Sequence, residues 1–69
     1  GRVSIPEVGQ TVKFLDKNGY DSDLEKARET LKKGDLTTVE NICIGDWSSY
    51  LKFEGVKGWY NSVMFEVVE

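Results

Sequence analysis

The half of the chain that most restricts its fold runs from Leu36 to Glu69 and reads LTTVENICIGDWSSYLKFEGVKGWYNSVMFEVVE. Short β-prone runs alternate there with glycine-containing turns, and the stretch holds most of the large apolar residues. That pattern predicts the meander of a small β-barrel. Leu36 to Ile44 is the longest run. Val39 lies on one parity, Ile42 and Ile44 on the other. Burying all three requires a change of face near Glu40-Asn41, which a β-bulge or sharp bend supplies. In Ser49 to Glu54, alternation puts Leu51 and Phe53 inward and Tyr50, Lys52 and Glu54 outward. Gly55 and Gly58 bracket a short turn, after which Trp59 and Tyr60 point opposite ways, Tyr60 inward. Asn61-Ser62-Val63 suits a single helical turn, and Phe65 to Val68 a closing strand.

The first half is less uniform. Residues 1–10 read as an arm or edge strand, because Pro6 has no N–H to give to a ladder, with Val3, Ile5 and Val8 available for packing. Glu7 to Gln10 leads through a turn into Thr11–Asp16, where Val12 and Phe14 face inward. Asn18-Gly19 ends that strand with a strong turn signal. Ser22–Lys33 then predicts the one helix. Ser22 and Glu25 fit a capping box, Lys32 and Lys33 complement the C-terminal dipole, and Gly34 suits the left-handed position beyond it. Leu24, Ala27 and Leu31 make a narrow apolar stripe, and Glu25–Arg28 and Glu29–Lys33 are plausible surface pairs. Residues 11–69 form a single domain.

Composition limits function. One cysteine and no histidine in 69 residues leave no internal disulfide, no zinc finger and no imidazole base. Cys43 reads as a small buried residue. No apolar run approaches the length of a membrane span, and the N-terminus has no signal-peptide core, so the expected location is cytoplasmic. D-K-N-G-Y-D-S-D around Asn18 departs from calcium-loop spacing, and its carboxylates are explained by turns and capping. Glu40, Glu54 and Glu66 would need a pocket for acid–base work, and a small barrel fills its interior with side chains. The chain therefore reads as a non-enzyme needing no cofactor or metal.

The order of elements resembles the Src-homology-3-like barrel, and the later pattern is similar to small proteins of this kind from bacteriophages and prophages. The resemblance rests on Val12-Lys13-Phe14, Lys33-Gly34-Asp35 with Val39 and Ile42, Tyr50 to Gly55, and Trp59-Tyr60-Asn61-Ser62 with Phe65-Glu66. It implies a mainly β, five-stranded barrel with the helix in its first long loop, phage or prophage origin, and hence a bacterial host cytoplasm. The peptide-binding members of the fold open their third strand with a Trp-Trp pair. This chain has Trp47-Ser48 there, and Leu15-Asp16-Lys17-Asn18-Gly19-Tyr20 in place of an Ala-Leu-Tyr-Asp-Tyr-type run.

The candidate binding residues are Trp47, Tyr50 and Trp59, backed by Lys52 and Lys57. Exposed aromatics of this kind anchor protein partners or stack on bases; small barrels also use them to seal a barrel end. Twelve acidic residues and a net charge of −3 favour a protein partner over nucleic acid. Scattered lysines otherwise read as solvated surface. A third reading is edge-strand addition or self-association through Arg2–Val8, so the state expected is monomer or weak homo-oligomer.

Overall fold

The computed structural model describes residues 5–68. In chain order the elements are β1 (Thr11–Phe14), α1 (Asp21–Arg28), β2 (Leu36–Ile44), β3 (Ser49–Phe53), β4 (Tyr60–Asn61), a 3-10 turn (Ser62–Met64) and β5 (Phe65–Val67). The strands form one open antiparallel sheet in the order β4-β3-β2-β1-β5. The fold is mainly β with one helix, as the patterning predicts.

Strand β2 joins the two halves of this sheet. Its first residues pair with β1, Leu36 opposite Lys13 and Thr38 opposite Thr11. Its remainder pairs with β3, from Val39 opposite Phe53 to Ile44 opposite Ser49. The register shifts between Val39 and Asn41, where the parity of the sequence demands a change of face. Val39 is fully buried as a result, and Ile42 packs against the core from the far side of the bulge. Ile44 is largely exposed, because β2 there runs past the end of the core. Cys43 is exposed, contrary to the buried position expected of it. It lies between Ile42 and Ile44, so alternation turns it outward, opposite Tyr50.

The core gathers Val12, Phe14, Val39, Leu51, Phe53, Tyr60, Met64 and Phe65, closed by Ala27 and Leu31 from the helical segment. The Phe65 ring of β5 lies 4.7 Å from Phe53 and 6.5 Å from Tyr60 of β4. Residues from both edges of the sheet therefore meet at one aromatic cluster, and the sheet curls around it.

The helix differs from its expected bounds at both ends. It starts at Asp21, with Tyr20 in the N-cap position. The Tyr20 N–H donates to Asp23 Oδ2 at 3.3 Å, so Asp23 takes the reciprocal capping role expected of Glu25. The same carboxylate oxygen accepts from Asn61 Nδ2 at 3.2 Å, a partner 38 residues away that local pattern does not reveal. The helix stops at Arg28 rather than Lys33. Beyond it the backbone serves β1: Gly34 N donates to Phe14 O at 2.8 Å, and Phe14 N to Asp35 O at 2.9 Å. Gly34, at φ +92°, thus belongs to a turn between Lys32 and Asp35 rather than to the helix C-terminus. Arg28 pairs with Asp16 at 2.6 Å instead of with Glu25.

Asn61 is 4% exposed and depends on Asp23 for its amide donor bond. Replacing Asp23 by alanine removes both the cap and that partner. The expected loss is about 1–3 kcal/mol, readable as a lowered urea midpoint with unchanged slope.

Of the N-terminal arm, residues 1–4 lie outside the described residues and residues 5–10 contain no strand. Pro6 is buried, whereas Ile5 and Val8 are exposed. A turn from Glu7 to Gln10 is closed by Gln10 N donating to Glu7 O at 3.1 Å and Glu7 N to Gln10 Oε1 at 2.7 Å. It is then tied to β2 by Gly9 N donating to Val39 O at 2.8 Å.

Candidate functional site

The β2–β3 connection is tight. Gly45 N donates to Ser48 O at 2.9 Å, leaving Asp46 and Trp47 at the tip. A two-residue tip gives the indole nothing to fold back upon, and Trp47 is 98% exposed.

A second aromatic is presented beside it by the β1–α1 loop. Asp16 (φ +59°) and Asn18 (φ +75°) both adopt the left-handed conformation, which suits turns built from these short polar side chains. The Asp16–Arg28 ion pair holds the loop against the helix, and Leu15 N donates to Met64 O at 2.8 Å. Gly19 lies against the 3-10 turn so closely that a Cβ there would stand 2.8 Å from Met64 Cγ. Held in this way, Tyr20 projects with 76% of its surface exposed. Met64 is fully buried, so its side chain must shift within the core to admit the methyl group. Gly19→Ala should therefore cost about 1–3 kcal/mol through overpacking, measured as a lower thermal midpoint.

Between these loops lies an open cleft of about 360 Å³. It is bordered by Asn18, Gly19 and Tyr20 of the first loop, Trp47 and Ser48 of the second, and Asn61 and Val63. Asn61 is fixed at both ends of its amide, because its Oδ1 also accepts from Val63 N at 3.2 Å.

The residues singled out in the sequence are divided by this geometry. Trp47 precedes β3, while Lys57 and Trp59 follow it. A five-residue strand separates the two groups, about 15 Å at about 3.3 Å per residue. Tyr50 and Trp59 are 37% and 38% exposed, consistent with outward parity, and Tyr60 is buried as the alternation requires. Tyr50 lies on β3 opposite Cys43 and Asn61. Lys52 pairs with Glu40 at 3.6 Å. Trp59 contributes its carbonyl to a bond from Lys26 Nζ at 3.0 Å, and the Lys57 carbonyl accepts from Tyr60 Oη at 2.9 Å. The Lys26 ammonium also stands 5.2 Å from the centre of the Tyr60 ring, so the Trp59 end of the strand is braced to the helix. Tyr20 and Val63 are absent from the sequence-based set. The signal for Tyr20 was its place beside Asn18-Gly19, at the tip of a turn; nothing local marks Val63.

The family model described as Bacteriophage T4 protein Y07B matches residues 11–69. The chain belongs to that family. The match supports a bacteriophage origin for this small protein, and it begins at the first residue of β1, so it spans the whole sheet. No curated protein and no solved structure matches the chain. No helix among the described residues is long and apolar enough to cross a membrane.

Of the polar residues at this cleft, Asn61 has its amide held by hydrogen bonds within the chain.

Proposed function

We propose that this phage-family protein is a small non-enzymatic binding module that docks on a host or phage protein through the surface around Trp47. The observation that carries the reading is the exposure of Trp47 and Tyr20, residues of two different loops that border one cleft. Each is a large, rigid side chain of the kind that dominates binding energy at interfaces. Presenting both to water without a packing role has no benefit to a domain of this size, for which apolar area is scarce.

Electrostatics supports a protein over a nucleic acid. The chain carries 12 acidic and 9 basic residues. Lys13, Arg28 and Lys52 are each engaged with a carboxylate, Glu66, Asp16 and Glu40 respectively. The face of Tyr50, Lys52, Lys57 and Trp59 thus carries less free positive charge than the sequence suggests. In fold terms, a long β2 shared between two halves of a curled sheet supports the Src-homology-3-like reading. The family supports action inside an infected bacterial cell.

The test is capture from infected-cell lysate with the wild-type protein and with Trp47→Ala. A protein retained by the first and lost by the second is the expected result. Identical capture by both would overturn the docking assignment. Oligonucleotide titration at low salt is expected to leave tryptophan fluorescence unchanged; quenching that weakens steeply with salt would favour nucleic acid instead.

A further inference from the structure

We propose that Asn18 is a site of spontaneous modification in the folded protein: its side-chain amide is lost through a succinimide closed by the Gly19 nitrogen, leaving aspartate or isoaspartate. The chain has three asparagines, Asn18, Asn41 and Asn61, and the fold separates them. Asn61 is 4% exposed, with Nδ2 donating to Asp23 and Oδ1 accepting from Val63 N, so its amide is held. Asn41 lies within β2 opposite Lys52, where turning the peptide disrupts the ladder. The branched Ile42 side chain also crowds the nitrogen that would attack there. Asn18 is exposed, lies outside every helix and strand, and is followed by Gly19. Among the described residues no partner holds its amide and no acceptor takes the Gly19 N–H.

The Gly19 nitrogen gives up its proton and bonds to Asn18 Cγ, the Cγ–Nδ2 bond breaks, and ammonia leaves. Water then opens the ring. Cleavage of the new N–Cγ bond yields aspartate; cleavage at the original main-chain carbonyl yields isoaspartate, whose backbone runs through Cβ. Nothing is oxidised or reduced. Glycine gives the attacking nitrogen no steric shield. The fold cannot readily supply one, because a Cβ at position 19 would stand 2.8 Å from Met64 Cγ. The two products differ in their consequences. Aspartate tolerates the left-handed conformation that Asn18 holds at φ +75°. Isoaspartate adds an atom to the backbone just before Gly19, which is packed on Met64, and Tyr20, whose N–H is bonded to Asp23. Either product makes the net charge of −3 more negative by one carboxylate.

The test incubates the folded full chain at mildly alkaline pH, where the Gly19 amide loses its proton more readily, and follows charge variants by ion exchange. Trypsin places each asparagine on its own fragment, 18–26, 34–52 and 58–69, for mass spectrometry. The expected result is a more acidic species that accumulates faster as the pH rises. It should carry the amide-to-acid mass gain on fragment 18–26 alone and be labelled by an isoaspartyl-specific methyltransferase. Asn18→Gly keeps the positive φ without strain and has no amide, so it should form none of this species. The isoaspartate form should melt at a lower temperature than Asn18→Asp, which stands for the other product. Conversion in the urea-unfolded chain without conversion in the folded protein would overturn the proposal, because the loop would then hold the amide away from the Gly19 nitrogen. A mass gain on fragment 34–52 or 58–69 equal to that on 18–26 would overturn it as well.

Discussion

Replacing Phe53 by alanine should cost the domain about 3–5 kcal/mol, a large share of its stability. Phe53 is completely buried, and its ring lies 4.7 Å from Phe65 and 5.8 Å from Tyr60. It therefore touches residues from both edges of the sheet, at the point around which the sheet curls. A buried Phe→Ala change costs about 3–5 kcal/mol through lost transfer energy and the cavity left behind. At about 0.05–0.15 kcal/mol per residue, a chain of 69 residues has roughly 3–10 kcal/mol in total. One substitution consumes about a third of that margin or more. Phe53→Leu keeps much of the volume and should cost substantially less. Urea melts followed by far-ultraviolet circular dichroism and by tryptophan fluorescence would check both. A cooperative wild-type-like transition in Phe53→Ala would show that the cluster does not carry the fold.

Replacing Trp47 by alanine should have the opposite profile: thermal stability within about 0.5 kcal/mol of wild type, with partner capture lost. The indole is 98% exposed at a two-residue tip, and the closing bond from Gly45 to Ser48 is made by backbone alone. No packing is removed, so the folded state should not register the change. Loss of a central aromatic anchor typically costs a binding interface about 2 kcal/mol or more, roughly thirtyfold in affinity. Tyr20→Ala is the companion variant. Its N-cap contribution is the backbone N–H bonded to Asp23, which alanine retains. It too should lose capture without losing stability. A large fall in melting temperature for either variant would assign these aromatics to packing rather than recognition.

These contrasting profiles reflect how much of each feature was written locally. Period-two alternation in TVKF and SYLKF placed Val12, Phe14, Leu51 and Phe53 in the core without any knowledge of their partners. The parity conflict between Val39 and Ile42 located the bulge, because a strand has two faces and one of them must be dry. The opposition of Trp59 and Tyr60 followed from the same rule. The helix ends did not follow. Ser22, Glu25, Lys33 and Gly34 satisfied every local criterion, yet Asp23 was drawn to Asn61 and the segment after Arg28 was drawn to β1. Asp23 serves the local cap and a long-range partner at once, and the segment after Arg28 gives its backbone bonds to β1 instead of prolonging the helix.

The sequence by itself determined which strands exist, which faces they bury, where β2 bends, and that this stretch holds no internal disulfide and no imidazole. It also flagged Trp47, because an aromatic in a turn has no strand face to occupy. Only the tertiary structure decided that Trp47 stands apart from Lys57 and Trp59, at opposite ends of β3, and that Tyr20 and Val63 border the same cleft as Trp47. Alternation along a strand reports burial, a property of one residue and its own backbone. Which residues share a cleft depends on where loops from different elements converge, and that is fixed by the curl of the sheet around Phe53, Tyr60 and Phe65.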